Sequence, residues 1–446
     1  MHEDLHRCWQ RVLAAKGDAN ALTDAASGRA LSFRELDAQA DFWLARNPQL
    51  RDSSGRIWCL ALSDRMDWLK AFLAAVRVGA VVLPVEPEAH GALEKRASGL
   101  GASHLIDDAG AHALPDGGHC PNAFLIKLTS GTTGDPKPLP FTEAEMMADG
   151  DQILRSMSIS QTDRNFAVIP LGHSYGLGNL VMPFFMSGVA MVSGSSPYPQ
   201  VMAEELSRFP CSVLPLVPPL VKALAAVSLE SGKLSGLRLV ISAGSALKPK
   251  LAQRFFENTG IRVHNFYGSS ETGGICFDRS GEWAQIDGAV GTPLDGVELF
   301  VGDDGGIGIR SRAMCHALYP EGVGRLHDSG ELDDRQVLRL TGRHADIVKL
   351  SGRRVSLAEI EAALSALPGV SDAYVGIREG RSGEARCVAL YSGGAQAESV
   401  RTALGEKLPE WKVPRILRQV DQIAYTARGK KDRTAMERVV DALTVR

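Results

Sequence analysis

Between residues 55 and 270 the chain alternates in texture. GRIWCLALS reads as a strand and DWLKAFLAAVRVG as a helix ending at Gly79, with AVVLPVEP a strand again. Further on, CSVLPLV leads into PPLVKALAAVS, LRLVISAG leads into KPKLAQRFFENTG, and RVHNFYG follows. Short apolar strands handing over to helices imply parallel sheets with crossover helices. Three helix starts carry capping-box spacing: Ser32 with Glu35, Thr142 with Glu145, and Ser356 with Glu359.

The texture changes near residue 283. GAVGTPLDGVELFVGDDGGIGIRSRA has closely spaced Gly-Asp turns, the mark of antiparallel sheet or barrel. From about residue 346 a small α+β unit is expected: a helix from Leu357, strands DAYVGIRE and RCVALYS, a helix over 398–408 and a polar tail helix. The fold class is therefore α/β, with large parallel αβ sheets, a small barrel-like part and a small α+β unit at the C-terminal end.

A chain of 446 residues is long enough for two or three domains. Its 49 basic and 52 acidic residues leave a net charge of −3, which gives no global case for nucleic acid or an anionic membrane. No run of 18 apolar residues suggests a membrane span, and the charged N-terminus has no signal-peptide apolar core. The seven cysteines show no metal or disulfide spacing and read as reduced, mostly buried thiols of a cytoplasmic protein.

The densest chemistry lies in LTSGTTGDPKP (128–138). Gly131 and Gly134 let backbone N–H groups approach an anion. Thr129, Ser130, Thr132 and Thr133 add hydroxyl donors, and Lys137 adds a mobile positive charge. The following KPLPF is extended, so the loop sits between strands and not at a helix N-terminus. That set of groups suits a triphosphate, above all its leaving pyrophosphate.

LTSGTTGDPK resembles the signature loop of the adenylate-forming superfamily, which holds acyl- and aryl-CoA synthetases, peptide-synthetase adenylation domains and beetle luciferases. NFYGSSETGG (265–274) resembles the family's Asn-x-Tyr-Gly-x-Thr-Glu segment, with Ser270 where Thr is usual. The resemblance implies that Tyr267 stacks on adenine, that Asn265, Gly268 and Ser270 line the nucleotide site, and that Glu271 helps hold Mg²⁺. SAGSALKP (242–249) is similar to the segment on the other adenine face, with Gly244, Ser245 and Ala246 there. HDSGELDD (327–334) is similar to a Thr-Gly-Asp stretch, which gives Asp328 the ribose hydroxyls, with His327 departing from the family's Gly. TGRHADIVKLSGRRVSLAEIE (341–361) gives Arg343 a ribose or phosphate contact and marks the crossing between a domain of residues 1–344 and a mobile domain of residues 345–446. Ala345 stands where the family carries Asp or Lys as a hinge. TARGKKDR (426–433) resembles the terminal Gly-Lys-x-x-Arg, making Lys430 the catalytic lysine ahead of its neighbour Lys431.

GHSYG (172–176) reads two ways. In the family's pocket motif His173 borders the acyl group and the thiol path, while Ser174, Gly176 and Leu177 line the acid pocket. As a Gly-x-Ser-x-Gly elbow, Ser174 would be the nucleophile of a serine hydrolase, with His90-Gly91 a faint oxyanion loop and His327 or His344 the base. A nucleotide-binding protein with a dead site is a third reading, opposed by the presence of Lys137, Glu271 and Lys430. The leading expectation is ATP-dependent activation of a carboxylic acid, then transfer to the thiol of coenzyme A or of a carrier protein's phosphopantetheine. Gly268, Gly273 and Gly274 suggest room for a flat or slender acid, aryl or medium acyl. No acidic residue presents itself to catch an α-amino group.

Overall fold

The computed structural model describes residues 4–115, 117–129, 137–227, 234, 236–343, 347–350, 353–379, 385–409, 412–425 and 431–443. The chain forms two compact units. One comprises Met1–Leu299, Ile309–Gly324 and Asp334–Leu338; the other comprises Phe300–Gly308, Arg325–Asp333 and Arg339–Arg446.

The first unit opens with helix α1 (Leu5–Lys16), the hairpin of β1 (Asn20–Asp24) and β2 (Ala30–Ser32), and helix α2 (Phe33–Arg46). Ser32 and Glu35 form the expected reciprocal cap of α2. A six-stranded sheet follows: β3 (Ile57–Ala61), β4 (Val81–Pro84), β5 (His104–Asp107), β6 (Gly110–Ala113), β7 (Leu125–Thr129) and β8 (Lys137–Phe141). Its order is β6-β5-β3-β4-β7-β8, parallel through the middle and antiparallel at each edge. Helix α3 (Arg65–Val78) crosses from β3 to β4, and Gly79 closes it at φ +66°, as the sequence predicts. Helix α4 (His90–Gly99) crosses to β5.

Helix α5 (Glu143–Ser156) starts directly after β8, again with its predicted capping box, Thr142 with Glu145. The second sheet then accumulates β9 (Arg164–Ala167), β10 (Ala190–Ser193), β11 (Val213–Leu216), β12 (Leu239–Ser242), β13 (Val263–Ser269), β14 (Gly273–Phe277) and β15 (Ala289–Pro293). Their order is β15-β14-β13-β12-β11-β9-β10-β1-β2. The crossovers carry α6 (Ser174–Gly176), a π-helical turn over Leu177–Val181, α7 (Met182–Ser187), α8 (Pro199–Arg208), α9 (Pro218–Ala225) and α10 (Pro249–Thr259).

Successive strand residues point to opposite faces, so each sheet can feed two cores. Phe166 joins Val192, Leu216, Val240 and helices α8 to α10. Ala167, Met191 and Leu22 join a central core with α1, α2, α3 and α7. The six-stranded sheet sends Trp58, Leu60 and Val82 into that same central core and Cys59, Val81 and Leu105 toward α4. The helical layer between the sheets is thus buried on both sides, which explains why α3 buries an almost unbroken run from Met66 to Ala75, interrupted by Asp67 and Lys70.

The turn-rich stretch continues with β16 (Glu298–Val301), β17 (Gly306–Arg310), β18 (Val323–Leu332) and β19 (Leu338–Arg343), neighbours in that order. In the second unit, β20 (Ile347–Leu350) pairs antiparallel with β21 (Arg353–Ser356). Helix α11 (Leu357–Ser365) follows; the Ser356 side chain expected to cap it lies outside the described residues. β22 (Val370–Glu379), β23 (Ala385–Gly393) and β24 (Ile416–Gln419) form a mixed sheet. Helix α12 (Ala397–Lys407) shares one core with α11, and α13 (Arg433–Ala442) covers Tyr374, Val388 and Leu390 in another. Six of the seven cysteines are buried, and all seven are free thiols. Among the described residues no helix is long and apolar enough to cross a membrane.

Phe72 of α3 ties the central layer together. It stacks on Trp68 at 5.4 Å and on Phe185 of α7 at 5.2 Å, with Phe124 edge-on at 6.0 Å. Phe72→Ala should lower the stability of this unit by about 3–5 kcal/mol through lost burial and a residual cavity. A denaturation series on the full chain should show this loss in the transition of the large unit.

Candidate functional site

The second sheet reverses direction between two neighbouring strands. From β9 the chain moves outward to β10, whereas from β11 it moves the other way to β12. In open α/β sheets the crevice outside the carboxyl ends at such a reversal is where ligands bind. Residues 168–176 leave β9 there, 217–218 leave β11, 243–246 leave β12, and Tyr267 to Ser269 end β13. Three of the predicted site segments, 172–176, 243–246 and 267–269, therefore share one edge of one sheet.

Packing fixes the path of 172–176. A side chain at Gly176 would meet Pro170 O at 2.0 Å, and one at Gly172 would meet Pro84 Cβ at 2.7 Å. His173 has extended backbone (φ −80°, ψ 154°) and Ser174 is the first helical residue of α6. His173 Nε2 donates to Glu86 Oε1 at 2.6 Å. Ser174 Oγ donates to Ser270 Oγ at 3.2 Å, which joins this segment to the turn after β13. Tyr175 is half-buried and packs against Phe266, its ring centroid 5.9 Å away, and loss of solvent around its phenol pushes it well above the ordinary range. Gly176 leads into the π-helical turn over Leu177–Val181, a local widening often found at functional sites.

These contacts remove the nucleophile-elbow reading of Ser174. Such an elbow strains the backbone at the serine. Among the described residues the non-glycine positive φ angles belong to Ser158 and Gln336. The hydroxyl of Ser174 pairs with another serine, and among the described residues no hydrogen bond joins it to a histidine. His344 lies outside the described residues.

The turn 269–274 is held from beneath. Ser269 Oγ accepts from the N–H groups of Glu271 and Thr272, both at 3.2 Å. Glu271 O accepts from Cys315 N at 2.9 Å. Gly274 N donates to Asp149 Oδ1 at 2.8 Å. The glycines here leave less room than their composition suggests. A side chain at Gly273 (φ +73°) would meet Asp149 at 2.5 Å, and one at Gly274 would meet Leu294 at 2.5 Å and Phe266 at 3.0 Å. At Gly268 it would meet Gly273 O at 2.7 Å. Only glycine therefore fits at these three positions, and each presents backbone rather than a side chain.

Asp149 and Glu145 stand one helical turn apart on α5. Glu145 Oε1 accepts from His316 N at 2.8 Å, while Asp149 holds the turn. Near both carboxylates is Lys127 of β7, 2% exposed, its Nζ 4.1 Å from the centre of the Phe141 ring and without a hydrogen-bond partner. Burial lowers the Lys127 pKa; the charges of Asp149, Cys315, Glu145 and Glu271 oppose that shift. Burial raises the Asp149 pKa against the pull of Lys127 and the Gly274 N–H. Glu271 itself is partly exposed, and its carboxylate makes no hydrogen bond or ion pair among the described residues.

Sequence reading missed Glu86, Lys127 and Asp149. Lys127 had a signal, a lone charge in the apolar run FLIKL; Asp149 had its four-residue spacing from Glu145. Glu86 had none. It lies beside the 172–176 segment through its bond to His173.

The other expected residues distribute as follows. Thr129 faces Lys137 across the β7–β8 hairpin, its hydroxyl donating to Lys137 O at 3.4 Å, and Lys137 is exposed. Ser130, Gly131, Thr132, Thr133 and Gly134 lie outside the described residues. Gly244 (φ +90°), Ser245 and Ala246 are exposed beyond β12. Asn265 is buried and donates to Ala289 O at 2.8 Å, so its amide ties β13 to β15. Tyr267 is half-buried at the end of β13. Asp328 is on β18 and belongs to the second unit. Arg343 ends β19, with its side chain outside the described residues, as are Ala345 and Lys430 entirely.

The AMP-binding enzyme family matches residues 119–310, and the C-terminal domain of AMP-binding enzymes matches residues 359–430. The chain belongs to this family. As a member it is an adenylate-forming ligase. It is 27% identical to 4-coumarate–CoA ligase 5 of Oryza sativa subsp. japonica over 445 residues, spanning 84% of this chain and 82% of that protein. ATP-bound MatB of Rhodopseudomonas palustris has the same fold, with a TM-score of 0.86, 19% identity and 99% of each chain covered. So does the anthranilate CoA ligase AuaEII in complex with anthranoyl-AMP, with a TM-score of 0.81, 20% identity and coverage of 99% of this chain and 98% of that one.

For this AMP-binding enzyme the buried group beneath the turn makes a sharp prediction. Lys127→Met should remove the buried amine that acts on Asp149 through space; the two form no ion pair, so the cost should be on the order of 1–3 kcal/mol of stability. Asp149→Asn should cost less on its own. The double variant should recover part of the Lys127→Met loss, a coupling on the order of 1–3 kcal/mol. Denaturation of the four proteins measures it, and simple additivity would mean that the two side chains act independently.

Proposed function

We propose that the chain activates a carboxylic acid, aryl or medium acyl, as its adenylate and then transfers it to a thiol, either coenzyme A or the phosphopantetheine of a separate carrier protein. The observation that carries this reading is the hydrogen bond from Ser174 to Ser270. It places the segment resembling an acid pocket against the segment resembling a nucleotide site, at the carboxyl edge of one sheet. The aryl reading draws support from the likeness to a 4-coumarate–CoA ligase.

In the first step a carboxylate oxygen attacks the α-phosphorus of ATP and pyrophosphate leaves. Two anions must meet, so the protein has to supply positive charge and oriented donors. We assign the pyrophosphate to residues 129–134 and Lys137, the adenine faces to Tyr267 and to Gly244, Ser245 and Ala246, and the ribose to Asp328 and Arg343. Asn265, Gly268 and Ser270 complete the nucleotide side, and His173, Ser174, Gly176 and the backbone at Gly273 and Gly274 face the acid. Glu271 fits a Mg²⁺ role, because its carboxylate is a hard oxygen donor with no protein partner among the described residues. When bound, the ion would neutralise phosphate charge.

Lys430 supplies the mobile charge in this reading, within a C-terminal part that begins at residue 345 with Ala345 as its hinge. The adjacent lysine is engaged elsewhere. Lys431 Nζ bonds to the Glu361 carboxylate and to Ala373 O, and lies 3.2 Å from Asp372 Oδ1. It therefore staples α11 and β22 within the second unit.

Acid-dependent pyrophosphate exchange into ATP should be measurable across a panel of aromatic and aliphatic acids. Lys430→Ala should lower that exchange by on the order of 10²–10³. Its loss should fall on rate more than on ATP affinity. Thioester formation from supplied acyl-adenylate should fall much less. Lys431→Ala should keep exchange while lowering the melting temperature. Loss of exchange in Lys431→Ala alone, in a protein that still melts cooperatively, would reverse the assignment of the two lysines.

A further inference from the structure

A second chemical cluster lies at the other edge of the six-stranded sheet from the β7–β8 hairpin. β5 and β6 are joined by a tight turn through Asp108 and Ala109, with Asp107 opposite Gly110 and Leu105 opposite His112. Asp107 and His112 are thus diagonal neighbours on one face of the hairpin. His90 is the first residue of α4, the helix that packs on this face.

The three side chains converge. His90 Nδ1, a carboxylate oxygen of Asp107 and His112 Nε2 all lie within 4.8 Å of one another. Each carboxylate oxygen faces one ring: Oδ2 accepts from His90 Nδ1, and Oδ1 is 3.5 Å from His112 Nε2. The Asp107 side chain is 4% exposed. His112 Nε2 is shielded from solvent yet has no hydrogen-bond partner. An orphaned, buried ring nitrogen aimed at a carboxylate is an unfilled bonding position. A cavity of about 390 Å³, lined in part by Glu88, His90, Asp107 and Asp108, adjoins the cluster and leaves room for water to complete a coordination shell.

We propose that His90, Asp107 and His112 form a site for a divalent transition metal, with Zn²⁺ as its natural occupant. Two imidazoles and one carboxylate suit Zn²⁺ or its chemical neighbours, whereas Mg²⁺ and Ca²⁺ prefer all-oxygen shells. The ion needs a bare ring nitrogen on each histidine, so loading releases a proton only where a ring is charged, and binding tightens as pH rises through the imidazole range. The surrounding charge is acidic. Glu88 and Asp108 line the same cavity and Glu94 acts on His90, while Arg96 is paired with Glu88 at 3.0 Å. An ion here would brace α4 against the β5–β6 hairpin. Its role is structural or regulatory, apart from the adenylation chemistry.

The test uses the full chain after chelator treatment, titrated with Zn²⁺ against a chromophoric chelator and, separately, with Co²⁺. We expect one site, a Co²⁺ visible spectrum of low-coordinate nitrogen–oxygen type, proton release on loading where a ring is charged, and a higher melting temperature. His112→Ala and His90→Ala should each weaken Zn²⁺ binding by on the order of 100-fold. The metal-free melting of His112→Ala should match that of the unchanged protein, which separates a lost ligand from lost fold; His90→Ala also removes a hydrogen bond from buried Asp107 and should melt somewhat lower. The proposal is overturned if the unchanged chain binds Zn²⁺ no more tightly than both variants, or if binding leaves the melting temperature where it was.

Discussion

The hydrogen bond from Gly274 N to the buried carboxylate of Asp149 ties together distant parts of the first unit. It stops the β13–β14 turn against α5, and Gly273 must be glycine there because a side chain would run into that same carboxylate. Helix α5 follows β8 with one intervening residue, so the hairpin that flanks residues 130–136 and the turn that carries Glu271 are fastened to one helix. A carboxylate buried in this way needs a countercharge nearby. Lys127 supplies it from β7, on the strand that leads into residues 130–136. The strength of the group lies in its sharing: the lysine also acts on Glu145 and Glu271, and Cys315 links Glu271 back to Pro140 of β8.

Where the sequence was legible, the physics was local. Gly79 ends α3 because a left-handed residue is needed where the helix stops. Two capping boxes are found as spaced, since reciprocal hydrogen bonds over three residues depend on little else. The alternation of strands and helices predicted parallel sheets because chain connectivity leaves few other solutions. Legibility failed where partners come from distant parts of the chain. His173 and Glu86 are 87 residues apart, and Asp149 and Gly274 are 125 apart. Gly273 and Gly274 show the same limit: a missing side chain declares that space is needed there, but the sequence does not say that Asp149, Leu294 and Phe266 are the neighbours that require it.

The two sides of the cleft edge are built on different physical terms. On the nucleotide side the turn 269–274 is anchored by buried hydrogen bonds and a buried cation, where loss of one partner leaves another group unsatisfied. On the acid side the path of 172–176 is set by close backbone packing at Gly172 and Gly176, but its chemistry is carried by His173 and Glu86, both partly open to solvent. Groups in that setting can be exchanged with little effect on the fold, because water satisfies whatever they lose. Under the proposed function, substrate choice is expected to rest on exposed, replaceable side chains around His173, while the turn that carries Glu271 is held by buried groups that the core of the protein will not release. The Ser174–Ser270 hydrogen bond is where the two meet, and it is weak enough, a single bond between neutral hydroxyls, for one side to change without unseating the other.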